Sequence, residues 1–186
     1  FDDDTPTGQA KPVLATAVLD DDAQANGNAG GAGDVADAKA IARTAAGTLF
    51  TVGADGLKSI AVTGPAMKAI HVDASGKATQ EEVSWTPVTN ADGSVTLTGA
   101  STNIAKVAVL TVYADGSYAY EQFAPVVHGT VGATEETTDF AFAVTVTDGD
   151  DDTASSTLTV QINDDTPTAQ ADSFTQTAEN VPVTGN

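Results

Sequence analysis

An all-β fold, built as an antiparallel sandwich of short strands, is what this chain predicts, and three observations carry the prediction. Val, Ala, Thr and Ile dominate while aromatics reach only 5%, a mix that suits pleated, half-buried strands. Large apolar residues alternate with small or polar ones in run after run. Explicit turn signals separate those runs, and an Asp-Gly pair supplies the positive φ that tight hairpins need.

The elements follow in chain order. Strands are expected at Pro12–Leu19, Ala40–Ala45 and Leu49–Val52, the last closed by Gly53-Ala54-Asp55-Gly56. Ser59–Thr63 and Ala69–Val72 come next, ended by Asp73-Ala74-Ser75-Gly76, then Glu82–Thr86. Asn90-Ala91-Asp92-Gly93 leads into Ser94–Thr98. Lys106–Tyr113 and Ser117–Phe123 form the clearest hairpin, around Ala114-Asp115-Gly116. Asp139–Thr147 and Thr153–Ile162 form a second, with Phe140, Phe142, Val144 and Val146 facing Leu158, Val160 and Ile162 on one buried side. Asp34–Ala46 is Ala-rich with few large apolar residues; it reads as a loop followed by a strand rather than a short helix. Turns every 8–12 residues point to a sandwich of immunoglobulin or cadherin type. Eleven strands exceed the usual seven to nine, so an elaborated sandwich with a small extra lobe or loop insertion within residues 25–100 is expected.

One acidic phrase occurs twice. Phe1-Asp2-Asp3-Asp4-Thr5-Pro6-Thr7-Gly8-Gln9-Ala10 returns as Ile162-Asn163-Asp164-Asp165-Thr166-Pro167-Thr168-Ala169-Gln170-Ala171, identical at seven of ten positions. Repetition at a long fixed period marks a stacked array of like modules. The expected organisation is an inter-repeat linker at 1–10, a sandwich at 11–163, and at 164–186 a linker with the first strand of the next repeat.

The formal charge is −19, from 26 acids against 7 Lys and Arg. Such a surface repels nucleic acid and anionic membranes, and no apolar stretch approaches the ~20 residues of a membrane span. Cysteine is absent, so disulfides, thiolate catalysis and zinc–thiolate sites are excluded. The acids are bunched at Asp2–Asp4, Asp20–Asp22, Asp148–Asp152 and Asp164–Asp165. Bunched carboxylates repel one another unless a cation sits among them, and calcium takes six to eight oxygens at roughly 2.3–2.6 Å. Asp148, Asp150 and Asp152, alternating on a turn between two strands, form the strongest candidate. The plain alternative is an acidic hairpin loop that uses Asp and Gly for turn geometry. The repeated junction is the second candidate: Asp2, Asp3 and Asp4 lead in, Asn163, Asp164 and Asp165 lead out, and Asp20, Asp22 and Glu136 are placed to contribute from the domain ends. Its alternative is a solvated linker. An EF-hand is excluded, because its sixth and twelfth loop positions would be Thr153 and Thr159. Gly30-Gly31-Ala32-Gly33-Asp34 has its Asp one place early for a calcium β-roll and has no second copy.

Catalysis finds little support. His71 falls in a strand and His128 in a loop, with no nucleophile motif near either. Paired carboxylates can serve a glycosidase, but acids beside Gly in turns are solvated or metal-bound, and Trp85 reads as a core or strand-face residue rather than a sugar platform.

Several of these segments together resemble a known family. Tyr113-Ala114-Asp115-Gly116-Ser117-Tyr118, the run Val144-Thr145-Val146-Thr147-Asp148-Gly149-Asp150-Asp151-Asp152-Thr153-Ala154 and the closing Asn163-Asp164-Asp165-Thr166-Pro167 are similar to the tandem repeats of giant bacterial RTX adhesins. The resemblance covers most of residues 1–168 and departs at Asp151, where the family commonly has Gly. It implies a type I-secreted, extracellular chain at the bacterial cell surface, with neighbouring repeats of the same chain as partners. It further implies a non-enzymatic role in cell attachment and biofilm formation, with calcium stiffening the array. A calcium-dependent glycan- or protein-binding module of the same kind of protein is the alternative.

Overall fold

The computed structural model describes residues 3–25, 27–28, 38–44, 47–129 and 135–166. These residues form thirteen strands and one 3-10 turn at Asp21–Ala23. The fold is all-β, as the residue pattern implies.

Two sheets supply the frame. The first has four strands in the order β2 (Val13–Asp20), β13 (Thr153–Asn163), β12 (Thr137–Asp148) and β5 (Leu57–Thr63). The second has five, in the order β3 (Ala40–Thr44), β11 (Tyr118–Gln122), β10 (Ala108–Val112), β9 (Val95–Ala100) and β8 (Ser84–Thr89). Period-two alternation aims one face of each sheet inward. Leu97, Leu110 and Tyr120 from the five-stranded sheet and Phe142, Val144, Leu158 and Val160 from the four-stranded one are buried in a single core. Tyr120 meets Phe142 edge-on at 5.8 Å between ring centres.

Trp85 closes this core from the edge strand β8. Its ring meets Phe142 edge-on at 5.2 Å, and its indole N–H donates to the Pro65 carbonyl at 2.9 Å. Gly64 and Gly99 make the slot: a Cβ on either would lie 2.4 or 2.7 Å from the indole. Trp85 is thus a packing residue, as its strand context suggests.

The strand set differs from expectation in three places. The predicted run Glu82–Thr86 is two elements. β7 (Ala78–Glu82) ends a hairpin with β6 (Lys68–Val72), Val83 donates its N–H to Met67, and β8 then joins the larger sheet. Ala78–Glu82 carries no large apolar residue, so its strand state comes from pairing with β6 and leaves no periodic signal. The β6–β7 hairpin is a two-stranded sheet of its own within 25–100, tied to the rest of the domain by the Ile70 N–H on the Pro125 carbonyl and by Ala69, which is buried in the common core. Second, the short strand β1 (Thr7–Gly8) pairs with β4 (Phe50–Thr51) and pins the leading segment to the domain. Third, β2 runs parallel to β13, with Val13 opposite Leu158 and Asp20 opposite Asn163; the remaining ladders are antiparallel. The strand expected after the Gly-rich stretch forms as β3, whereas Ala29–Asp37 fall outside the described residues.

The β12–β13 hairpin pairs the two longest strands, of 12 and 11 residues. Thr147 faces Thr153 at one end and Thr137 faces Asn163 at the other. Its two ends carry the two acidic regions.

Candidate metal centre

The turn Asp148–Asp152 is built by the local sequence. Asp148 closes β12, its N–H donating to the Asp152 carbonyl at 3.0 Å while its Oδ1 accepts the Asp152 N–H at 2.8 Å. Asp151 takes φ +83°, a left-handed conformation that Asp tolerates better than most residues. Its side chain points away to an exposed ion pair with Lys58. This removes Asp151 from the cluster and leaves the alternating acids to converge.

Carboxylate oxygens of Asp148, Asp150 and Asp152 lie within 4.8 Å of one another. Asp148 is wholly buried, and its Oδ2 has no hydrogen-bond partner. A buried, unpartnered oxygen of a carboxylate costs free energy that a cation would recover. Oxygen-only donors on a turn of this size favour a hard divalent ion over a soft metal. Three carboxylates would supply only part of the shell of such an ion, leaving positions for water, backbone carbonyls or further acids.

Further acids stand close by. Asp3 and Asp55 form with Asp150 a second group whose carboxylate oxygens lie within 4.8 Å. Asp55 belongs to the turn after β4, and a Cβ on Gly149 would lie 2.4 Å from its carbonyl oxygen, so the two turns are in contact. The neighbouring Asp4 accepts the Ala54 N–H at 2.7 Å. A Cβ on Gly53 would sit 2.5 Å from the Asp4 carboxyl carbon, so a side chain there would displace that carboxylate from the Ala54 N–H. The leading acidic segment and the Asp148–Asp152 turn therefore share one end of the molecule. Asp2 lies outside the described residues.

Asp20, Asp22, Glu136, Asn163, Asp164 and Asp165 occupy the opposite end. Asp20 caps the 3-10 turn by accepting the Asp22 N–H at 2.9 Å. The Asp164 N–H donates to the Glu136 carbonyl at 2.9 Å, and Asp165 accepts the Asn28 N–H at 3.3 Å. Asn163 is buried with its Oδ1 lacking a hydrogen-bond partner among the described residues. The described residues at this end bring no three acidic or histidine donors together as the Asp148 turn does. The predicted site residues that are described thus fall into two groups at the two ends, Asp148, Asp150 and Asp152 with Asp3 and Asp4, and Asp20, Asp22, Glu136, Asp164 and Asp165 with Asn163.

The placement of two acids left no signal in the sequence. Asp55 looks like an ordinary turn residue, and only the fold brings it to Asp3 and Asp150. Asp21, the middle acid of its trio, turns inward instead of toward a junction. Its Oδ1 accepts from Gln122 Nε2, and its Oδ2 accepts the Val126 N–H at 2.8 Å and lies 3.3 Å from His128 Nε2. Burial raises the Asp21 carboxyl above its ordinary range, against the opposing bonds from His128 and Val126. At His128 burial acts downward but is outweighed by the hydrogen bond and charge of Asp21, helped by Asp164 and Glu136, so the imidazole is raised. Thr138 Oγ1 lies 3.0 Å from the other ring nitrogen. The pair links the 3-10 turn to the loop after β11, with the Asp21 carboxylate on one ring nitrogen and the Thr138 hydroxyl on the other.

No known protein family, curated protein or solved structure matches this chain.

Proposed function

We propose that this chain is a calcium-rigidified extender repeat of a large bacterial surface adhesin, secreted by a type I route and projecting adhesive domains for cell attachment and biofilm formation. The observation that carries the reading is the Asp148–Asp150–Asp152 cluster with its wholly buried, unpartnered Asp148 oxygen. The duplicated acidic phrase adds the array, and the charge of −19 without a cysteine explains why cations rather than disulfides would hold the module. The immunoglobulin- or cadherin-like character of the sandwich belongs to the same proposal. A ligand that binds only the folded state stabilises by mass action, by about 2.7 kcal/mol at a hundredfold excess over Kd.

The test is calorimetric. Calcium is expected to bind with measurable heat and to raise Tm well beyond what magnesium or matched sodium chloride achieves. Equal melting in calcium and chelator would overturn the proposal.

The second reading, a calcium-dependent module for a glycan or surface protein, draws on the β6–β7 hairpin, which stands outside the two sheets and exposes Val72. Glycan-array binding that disappears on replacing Val72 would favour it over the extender.

A further inference from the structure

The duplicated acidic phrase is docked in two different ways within this one chain. In the leading copy Asp4 gives one carboxylate oxygen to the Ala54 N–H, and Gly53 is kept bare of a side chain by that carboxylate. In the trailing copy the corresponding Asp165 accepts at 3.3 Å from the Asn28 N–H, a donor it shares with Asp22 Oδ1 at 3.2 Å. Around it Asp164 donates its N–H to Glu136, Thr166 donates its hydroxyl to Glu135 at 3.2 Å, and Asn28 Nδ2 donates to the Thr166 carbonyl at 3.3 Å. The two sets of contacts use different atoms. A carboxylate has two oxygens, and each docking takes one. Among the described residues, the N–H of Asp164 and the carbonyl and hydroxyl of Thr166 are engaged in the trailing copy, whereas the corresponding groups of Asp3 and Thr5 are not. Burial agrees: Thr5 is exposed, whereas its counterpart Thr166 is 5% exposed. The leading copy thus shows the phrase against the module that follows it, and the trailing copy shows it against the module that precedes it.

We infer that a single copy of this phrase makes both dockings at once when two modules stand in tandem. The Asp165 carboxylate would bridge Asn28 of the upstream module and the Gly53–Ala54 turn of the downstream one. The partner of this surface is a second copy of the module, joined head to tail. The inference rests on the array reading proposed above and does not depend on a cation: the bridge is made of backbone amides on one carboxylate, so the joint is pre-set before any ion binds.

A tandem protein tests it, with residues 1–166 joined to residues 6–186 of a second copy. The natural chain lacks cysteine, so Thr86→Cys in both modules gives two nitroxide positions and one interspin distance. In chelator the distribution is expected to be narrow. Gly53→Ala in the downstream module should broaden it by about twofold or more, toward a free linker, and the same change in the upstream module should not. Should the downstream variant fail to fold, Asp165→Asn in the joint serves instead. The substitution turns one of the two acceptor oxygens into an NH2 that cannot accept, so one of the two dockings loses its oxygen, and the distribution should broaden likewise. A distribution unmoved by either downstream Gly53→Ala or joint Asp165→Asn would overturn the inference. One broad in chelator but narrow in calcium would also overturn it, while leaving the calcium-dependent extender standing. Breadth in both conditions would remove both.

Discussion

Asp148 carries most of the chemistry proposed for this molecule, and its two oxygens have opposite fortunes. Oδ1 holds the turn through the Asp152 N–H, while Oδ2 is buried with no hydrogen-bond partner beside two more carboxylates. Asp148→Asn keeps an acceptor for the turn and removes the charge. In chelator this variant should be more stable than the natural protein, by about 1–3 kcal/mol, the usual cost of an unsatisfied buried group. In millimolar calcium the order should reverse, because the ion loses a charged ligand. Paired urea titrations with and without calcium give the result, and a variant less stable in both would refute the assignment. His128 sets a second expectation at this scale. Its imidazole is raised above the ordinary 6.5 by Asp21 after burial is overcome. A raised pKa contributes stability that is complete below 6.5 and is lost as pH climbs through the folded-state value. In chelator, Tm should fall as pH climbs above about 6.5, and His128→Gln should flatten that fall. Melting curves across the range decide it.

Among the elements, the acids divide into those that fold the chain and those free to do something else. Asp73, Asp92 and Asp115 share one device, in which Oδ1 accepts both the N–H and the hydroxyl of the Ser two positions on. These serine bonds hold each carboxyl below its ordinary range. Asp115 also pairs with Arg43, whose guanidinium lies 3.7 Å over the Tyr113 ring. Asp115→Ala should cost about 1–2 kcal/mol through the lost turn bonds and leave the calcium-induced rise in Tm unchanged. A loss of that rise would mean the turn acids share in cation binding. The same division explains what the residues reveal unaided. Hairpins such as β10–β11 and β12–β13 combine alternation with an Asp-Gly or acidic turn, so local pattern and fold agree, and the Asp148 cluster lies within five consecutive residues. The meeting of Asp3 and Asp55 with Asp150, the inward turn of Asp21 and the pairing of β2 with β13 depend on contacts across the fold. No local period encodes those contacts, and Ala78–Glu82 shows that even a strand can be decided by its neighbour.

At the scale of the whole molecule, acids crowd both ends while the long β12–β13 hairpin spans the distance between them. The parallel pairing of β2 with β13 has a mechanical consequence. The chain enters at the Asp148 end through β1 and β2 and leaves at the Asn163 end through β13, so tension between its ends drags these two adjacent strands in opposite directions along their length. The rungs from Val13–Leu158 to Asp20–Asn163 then bear the load together, in shear, instead of peeling one by one. Single-molecule pulling along this axis should meet a higher rupture force than pulling across the ladder through β12 and β5, an antiparallel pair. A surface tether assembled from such units would hold against flow by geometry, and would yield only when a whole strand slips.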